Sequence, residues 1–246
     1  MDGESKISTN QTKIPHIAAI LPTYNEGGRI SAVLDVLREV RHLSEIIVVD
    51  DGSSDNTFEH VMESARYDQR IRLLRHPFNL GKGQAIFTAW RNTQATYLLL
   101  LDSDLINLKP GHVWSLIEPV INNNADMTLG LFWGGKIHTD FAHWATPWLT
   151  GQRCLCSEIL CLVSEEAARG YGFEIAVSVT AQKYGYRTRL VPLKGVWHPP
   201  SEFHRGWLPG IPWRIRMYKE IVRAWWLVRT TARNSIQDRK PSSEID

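Results

Sequence analysis

Cysteine is scarce in this chain of 246 residues, and its three cysteines, Cys154, Cys156 and Cys161, all lie in one short segment. An odd number in a single cluster does not supply the pairs of a disulfide framework, and a zinc site needs a fourth ligand and a different spacing. We therefore predict ordinary buried thiols in a reducing compartment.

Long apolar runs and a strong charge of either sign are also missing. No stretch approaches the roughly 20 apolar residues that cross a bilayer, and residues 1–13 form a polar leader rather than a signal peptide. The formal net charge of +2 gives no argument for binding nucleic acid. These absences predict a cytoplasmic protein without integral membrane segments.

Two common nucleotide-binding loops are absent. No G-x-G-x-x-G follows the first predicted strand, which disfavours a dinucleotide fold of the dehydrogenase type. The only glycine-flanked lysine, Lys82, lies in a loop too short for a P-loop, which disfavours an NTPase of that class.

What is present is an alternation of short apolar runs and amphipathic segments. The runs predict strands at 17–21, 45–49, 71–74 and 97–101, and the segments between and after them predict helices at 30–40, 56–66, 83–92 and 110–121. Farther on, we predict a helix at 173–184 and an edge strand at 187–192. Near-continuous apolar strands separated by helices predict an α/β fold with a mostly parallel sheet covered on both faces.

The fourth predicted strand ends in two carboxylates, Asp102 and Asp104, with Ser103 between them. Side chains alternate along a strand, so an Asp-x-Asp pair projects to one side of the chain. Such a pair suits a hard divalent cation and the diphosphate that the cation accompanies.

Polar residues also follow the first two predicted strands, at 23–26 and at Asp50-Asp51. Each group alone has an ordinary explanation as a helix cap, a turn or a solvated loop. Ligands of parallel sheets, however, bind outside the carboxyl ends of the strands. These two groups and the Asp102/Asp104 pair are expected to meet there.

Four motifs occur in order: L-P-T-Y-N-E at 21–26, V-V-D-D-G-S at 48–53, N-L-G-K-G at 79–83 and L-D-S-D at 101–104. Together they closely resemble family 2 glycosyltransferases of the GT-A fold, strongly over residues 17–133 and more weakly to 199. The resemblance implies a metal-dependent transfer of a sugar from a UDP- or GDP-linked donor, with Mg²⁺ or Mn²⁺ as the cofactor.

The resemblance also implies roles for matching residues. Pro22, Tyr24 and Glu26 would border the nucleotide. Asp50 or Asp51 would accept a hydrogen bond from the base, and the sequence leaves open which one does so.

On the same resemblance, Lys82 and Ser103 would lie near the nucleotide. Asp102 would approach the ribose or the metal, and Asp104 would bind the metal.

The second half is expected to supply the acceptor site. G-Y-G-F-E-I at 170–175 and L-T-G-Q-R at 149–153 look like acceptor-side segments of polyprenyl-phosphate glycosyltransferases and glucosyl-phosphoglycerate synthases. Glu174 would orient an acceptor hydroxyl or act as a general base, unless it only offsets a helix dipole. By similar context His198 would be a third metal ligand, with His204 as a weaker candidate, although a structural histidine remains an alternative.

The C-terminal part mixes arginine with aromatic residues. We predict an amphipathic helix at 213–233. The surface at 205–230 is predicted either to contact the inner face of a membrane or to pack on the protein itself or on a second copy. The predicted organisation is a leader at 1–14, a GT-A catalytic domain at 15–200 with a nucleotide-sugar half (15–133) and an acceptor half (134–200), a helical extension at 201–233 and a polar tail at 234–246.

Two acceptors remain open for the predicted transferase: a lipid such as polyprenyl phosphate, and a small soluble phosphorylated acid or sugar. A sugar nucleotidyltransferase is a remote alternative, because Gly27-Gly28-Arg29 only faintly resembles its glycine-rich loop. A non-catalytic binding module is a further alternative, which the retained Asp102 and Asp104 disfavour.

Overall fold

The computed structural model describes residues 15–134, 150–169 and 172–199. Seven strands and six helices in these ranges form one α/β unit. In chain order they are β1 (Ile17–Thr23), α1 (Ile30–Glu39), β2 (Glu45–Asp50), α2 (Thr57–Tyr67), β3 (Ile71–Arg75), α3 (Lys82–Arg91), β4 (Tyr97–Leu100), α4 (Pro110–Ile121), β5 (Met127–Trp133), β6 (Arg153–Cys156), α5 (Glu158–Cys161), α6 (Phe173–Lys183) and β7 (Thr188–Lys194).

The described strands form a single sheet in the order β3-β2-β1-β4-β6-β5-β7. β6 runs antiparallel to both of its neighbours, and the other strand pairs are parallel. The carboxyl ends of β1, β2, β3, β4, β5 and β7 therefore meet at one edge, and β6 begins at that edge. We call it the carboxyl edge of the sheet.

Helices cover both faces of the sheet, as the continuous apolar strands predict. Along β1, Ile17, Ala19 and Leu21 pack with the side chains of α1 and α4. The alternate residues Ala18 and Ile20 pack with α3 and α6 on the other face. All five are fully buried, so the sheet is held from both sides and its carboxyl edge is a rigid platform.

The first four strands and the edge strand were predicted correctly, and β5, β6 and α5 were not predicted. Asp55 accepts a hydrogen bond from the backbone N–H of Thr57 (3.0 Å), where α2 begins. Cys154 is a buried free thiol as predicted, but Cys161 is an exposed one. The helix at 213–233 lies outside the described residues, and the proposed division into halves stays a prediction.

Within the ranges that the structure describes, none of the helices has the length and apolar character needed to span a bilayer.

Candidate active site

A cavity of about 330 Å³ opens at the carboxyl edge of the sheet. It collects side chains from the ends of β1 and β4 and from the segment after β7, whose Trp197 forms an isolated bridge with Ile106. Seven of the predicted site residues line it: Pro22, Tyr24, Glu26, Asp102, Ser103, Asp104 and His198, with Pro199 completing the wall.

Asp104 is a carboxyl group of this cavity with a raised pKa. Burial, reinforced by the nearby charges of Asp102 and Glu26, raises the pKa of Asp104 to about 6, and His198 acts in the opposite direction. Like charges and low solvation both disfavour a second carboxylate here. A cation in the cavity would relieve that penalty, so the donor set fits a hard divalent metal.

The raised pKa of Asp104 predicts a pH-dependent stability. The folded protein holds this proton more tightly than the unfolded chain, so ionisation of Asp104 should cost stability as the pH rises from the ordinary value of 3.8 to about 6. In metal-free buffer, the melting temperature of Asp104→Asn relative to wild type should therefore rise across this window and then level off. Exposed Asp35, changed to asparagine, is the matched control; a difference independent of pH would contradict the prediction.

Asp102 faces the same cavity, but both of its carboxylate oxygens already have partners. Lys82 Nζ lies 2.6 Å from Oδ1, and Gln152 Nε2 donates to Oδ2 at 2.6 Å. Burial alone would raise the pKa of Asp102, but the charge of Lys82 and the hydrogen bonds from both partners hold it below its ordinary value.

Glu174 joins this cluster from the first turn of α6. Its Oε1 lies 2.8 Å from Lys82 Nζ, so one ammonium bridges Asp102 and Glu174. Burial alone would lower the pKa of Lys82, and the two carboxylates raise it above its ordinary value. The sequence-based assignments put Lys82 on the donor side and Glu174 on the acceptor side, and the structure brings the two together.

Asp102, Asp104 and His198 were predicted to form the metal site. They line one cavity, yet the described residues contain no preformed group of three or more metal-binding side chains. The imidazole of His198 packs edge-on against Phe132, with ring centroids 5.5 Å apart, and its Nδ1 lies 3.3 Å from the carbonyl oxygen of Pro199.

The adjacent Asp50 and Asp51 have different surroundings. The carboxylate of Asp51 accepts hydrogen bonds from the backbone N–H groups of Leu80 (2.9 Å) and Gly81 (2.8 Å) and contacts His76 Nδ1 at 2.7 Å. Asp51 therefore holds the loop that leads into α3.

Asp50 lies beside a second cavity. Its Oδ1 accepts a hydrogen bond from the Ser53 backbone (2.8 Å), and its Oδ2 lies 3.1 Å from Arg75 Nε. Ser53 and Arg75 both line this cavity of about 400 Å³, together with Gly52, His76 and Pro77.

Sequence reasoning missed the roles of Gln152 and Arg153. The L-T-G-Q-R segment was assigned to the acceptor side as a whole, but Gln152 contacts Asp102 on the donor side. Arg153 is fully buried in β6 and donates to the backbone oxygens of Thr150 and Glu174. Burial lowers the pKa of Arg153 to about 10, and the nearby charges of Glu174 and Asp102 oppose that effect. Neither role has a signal in the sequence, because both depend on the pairing of β4 with β6, and β6 is a strand that the sequence did not predict.

Comparison with known proteins decides the family. The model of glycosyl transferase family 2 matches residues 18–180, well over half of the chain. The chain belongs to glycosyl transferase family 2. The four motifs that suggested this family fall inside the matched region, as do the cavity residues from Pro22 to Asp104, whereas His198 and Pro199 lie beyond it.

Two curated family 2 relatives show how far the sequence similarity extends. A dolichyl-phosphate beta-glucosyltransferase of Trichomonas vaginalis is 40% identical over 94 residues, which cover 35% of this chain and 28% of that protein. A glucosyl-3-phosphoglycerate synthase of Mycobacterium tuberculosis is 33% identical over 109 residues, which cover 43% of this chain and 34% of that protein. The matched regions thus span about a third of the length of these relatives.

The fold comparison covers more of the chain. A crystal structure of the M. tuberculosis glucosyl-3-phosphoglycerate synthase, in complex with Mn²⁺, UDP and glucosyl-3-phosphoglycerate, has a TM-score of 0.69 to this chain. It is 23% identical and the alignment covers 87% of this chain and 80% of that one. The predicted GT-A fold of family 2 is confirmed.

Several predicted features lie outside the described residues. They are His204, Gly170-Tyr171 and the aromatic and basic surface at 205–230.

Proposed function

We propose that this chain is a metal-dependent glycosyltransferase that moves a sugar from a nucleoside-diphosphate sugar to an acceptor oxygen. The observation that carries the proposal is one cavity that receives Glu26, Asp102, Asp104 and His198 from three separate parts of the chain. Membership of family 2 and the names of the two curated relatives support the same activity.

Asp104 and His198 would hold Mg²⁺ or Mn²⁺. The raised pKa of Asp104 indicates a carboxylate that is poorly stabilised without a counter-charge, and an imidazole nitrogen is an acceptable additional ligand. When bound, the cation would neutralise the charge that develops on the departing diphosphate. Both carboxylate oxygens of Asp102 are already held, one by Lys82 and one by Gln152, and we assign this residue to the ribose and donor sugar.

Asp50 is the better candidate for recognising the base. It is fully buried, and its neighbours Ser53 and Arg75 line a cavity large enough for a planar base. Asp51 is already engaged by two backbone N–H groups and His76. The UDP bound in the structural relative supports a uridine donor.

The adjacent aspartates offer a matched pair of variants. Asp50→Asn should weaken nucleoside-diphosphate affinity by about 10-fold or more, because a charged acceptor is lost at the base. Asp51→Asn should instead lower the free energy of unfolding by about 2 kcal/mol, because its loop loses a charged acceptor. Calorimetric titration with UDP and chemical denaturation measure the two effects; the reverse pattern would assign the base to Asp51.

The ion pair between Glu174 and Lys82 favours a phosphate as the acceptor. A hydroxyl acceptor needs a general base, whereas Glu174 already serves as a counter-charge to the Lys82 ammonium, which lies 2.8 Å from its Oε1. A phosphate oxygen is already ionised and needs no such base. A polyprenyl phosphate is therefore the preferred acceptor, and a small phosphorylated acid or a sugar is the alternative that the synthase relative supports.

A ligand panel tests the proposed function. Binding to the folded state raises the melting temperature by linkage, so UDP with Mn²⁺ should give a larger shift than UDP or Mn²⁺ alone. Release of UDP from UDP-sugars is then measured with polyprenyl phosphate and with phosphoglycerate. Affinity without released nucleotide would indicate a binding module, and no shift with any nucleoside diphosphate would overturn the proposal.

The cytoplasmic location, the membrane contact at 205–230 and homo-oligomer formation stay predictions.

A further inference from the structure

Gln152 makes two hydrogen bonds to one residue, Asp102. Its Oε1 accepts the backbone N–H of Asp102 at 3.0 Å, and its Nε2 donates to the Asp102 Oδ2 at 2.6 Å. Gln152 is 1% exposed, so these bonds are shielded from water. Since Oε1 must accept the N–H, the orientation of the amide is determined and Nε2 is the atom left to donate.

The antiparallel strand β6 explains this contact. Leu100 pairs with Arg153, so the chain before Arg153 runs alongside the residues that follow β4. Gln152 is thereby placed next to Asp102 although 50 residues separate them in sequence.

Gly151 leaves room for the same arrangement. A Cβ atom at this position would lie 2.5 Å from Lys82 Nζ and 2.8 and 2.9 Å from the two carboxylate oxygens of Asp102. In the segment before β6, Gln152 therefore forms hydrogen bonds with Asp102, and Gly151 leaves space for the ion pair between Asp102 and Lys82.

We propose that Gln152 is a positioning residue for the donor site, an inference that rests on the proposed function. Its amide holds one carboxylate oxygen of Asp102 while Lys82 holds the other, so that Asp102 presents a single orientation to the donor. An amide is suited to this task because it supplies one acceptor and one donor. A carboxylate at the same place would keep the acceptor, lose the donor and add a like charge.

The test uses Gln152→Glu and Gln152→Leu, with the exposed Gln182→Glu on α6 as the matched control. We expect kcat/KM for the donor to fall about 10–100-fold in both Gln152 variants near pH 8, the range typical of lost supporting hydrogen bonds. A protonated carboxyl group can donate to Asp102 Oδ2, so Gln152→Glu should recover toward wild type as the pH falls. Gln152→Leu should show no such recovery, and Gln182→Glu should behave as wild type at every pH.

The pH profile separates positioning from mere packing. The inference is wrong if Gln152→Leu keeps the wild-type kcat and donor KM. It is also wrong if the kcat/KM of Gln152→Glu divided by that of Gln152→Leu is the same at every pH. An inactive wild type would overturn the proposed function, whereas an active wild type with these outcomes overturns only the role of Gln152.

Discussion

Asp104→Asn is expected to lower sugar-transfer turnover by about 10²–10³-fold, because loss of a metal ligand removes several kcal/mol of transition-state stabilisation. Asparagine has nearly the same shape, so the fold should persist. The variant should also lose most of the additional melting-temperature shift that Mn²⁺ gives in the presence of UDP.

Steady-state assays over a range of Mn²⁺ concentrations measure the effect of Asp104→Asn. Asp35→Asn, on the exposed face of α1, should retain wild-type turnover and metal response. Full turnover in Asp104→Asn with metal still required would remove Asp104 as a ligand and leave His198 and Asp102 as the candidates.

The second large effect is expected from Lys82→Met. Removing the ammonium leaves Asp102 and Glu174 facing each other without their shared counter-charge. Breaking a fully buried pair costs about 3–5 kcal/mol, and because Lys82 and Asp102 are partly exposed we expect about 2 kcal/mol of unfolding free energy. Turnover should fall as well, since Asp102 loses the partner of one oxygen.

Chemical denaturation near neutral pH measures the loss in Lys82→Met, and exposed Lys183→Met on α6 is the control. Adding Glu174→Gln to Lys82→Met removes one of the two charges and should restore part of the stability. The deficit should also shrink as the pH falls far enough to protonate Asp102, whose pKa Lys82 holds below its ordinary value in the wild type. If Lys82→Met alone is as stable as wild type at neutral pH, the Lys82 bridge between Asp102 and Glu174 contributes little to the free energy of unfolding.

The parallel half of the fold was predictable because its signals are local. The apolar runs that became β1, β2 and β4 are ended by proline or aspartate, and the helices between the strands carry apolar residues at helical spacing. Seven predicted site residues share a cavity because parallel strands bring their carboxyl ends to one edge.

β5 and β6 could not be predicted in the same way. β5 is a mostly buried run interrupted by Gly130, and β6 has only four residues and begins with the buried Arg153. β6 in particular is too short to show the alternation that marks a strand. Their pairing depends on β4 and β7, which lie far from them in sequence.

The amino-acid sequence by itself determined a mostly parallel sheet, the residues that end its strands and the family to which the chain belongs, because those depend on periodicity and short motifs. Only the tertiary structure decided that Asp51 is engaged by its own loop while Asp50 adjoins a cavity. It alone also linked Lys82 to Glu174 and Gln152 to Asp102. The reason is that each of these contacts joins residues about 25 to 90 positions apart, and its distance and direction are set by strand order and register rather than by neighbouring residues.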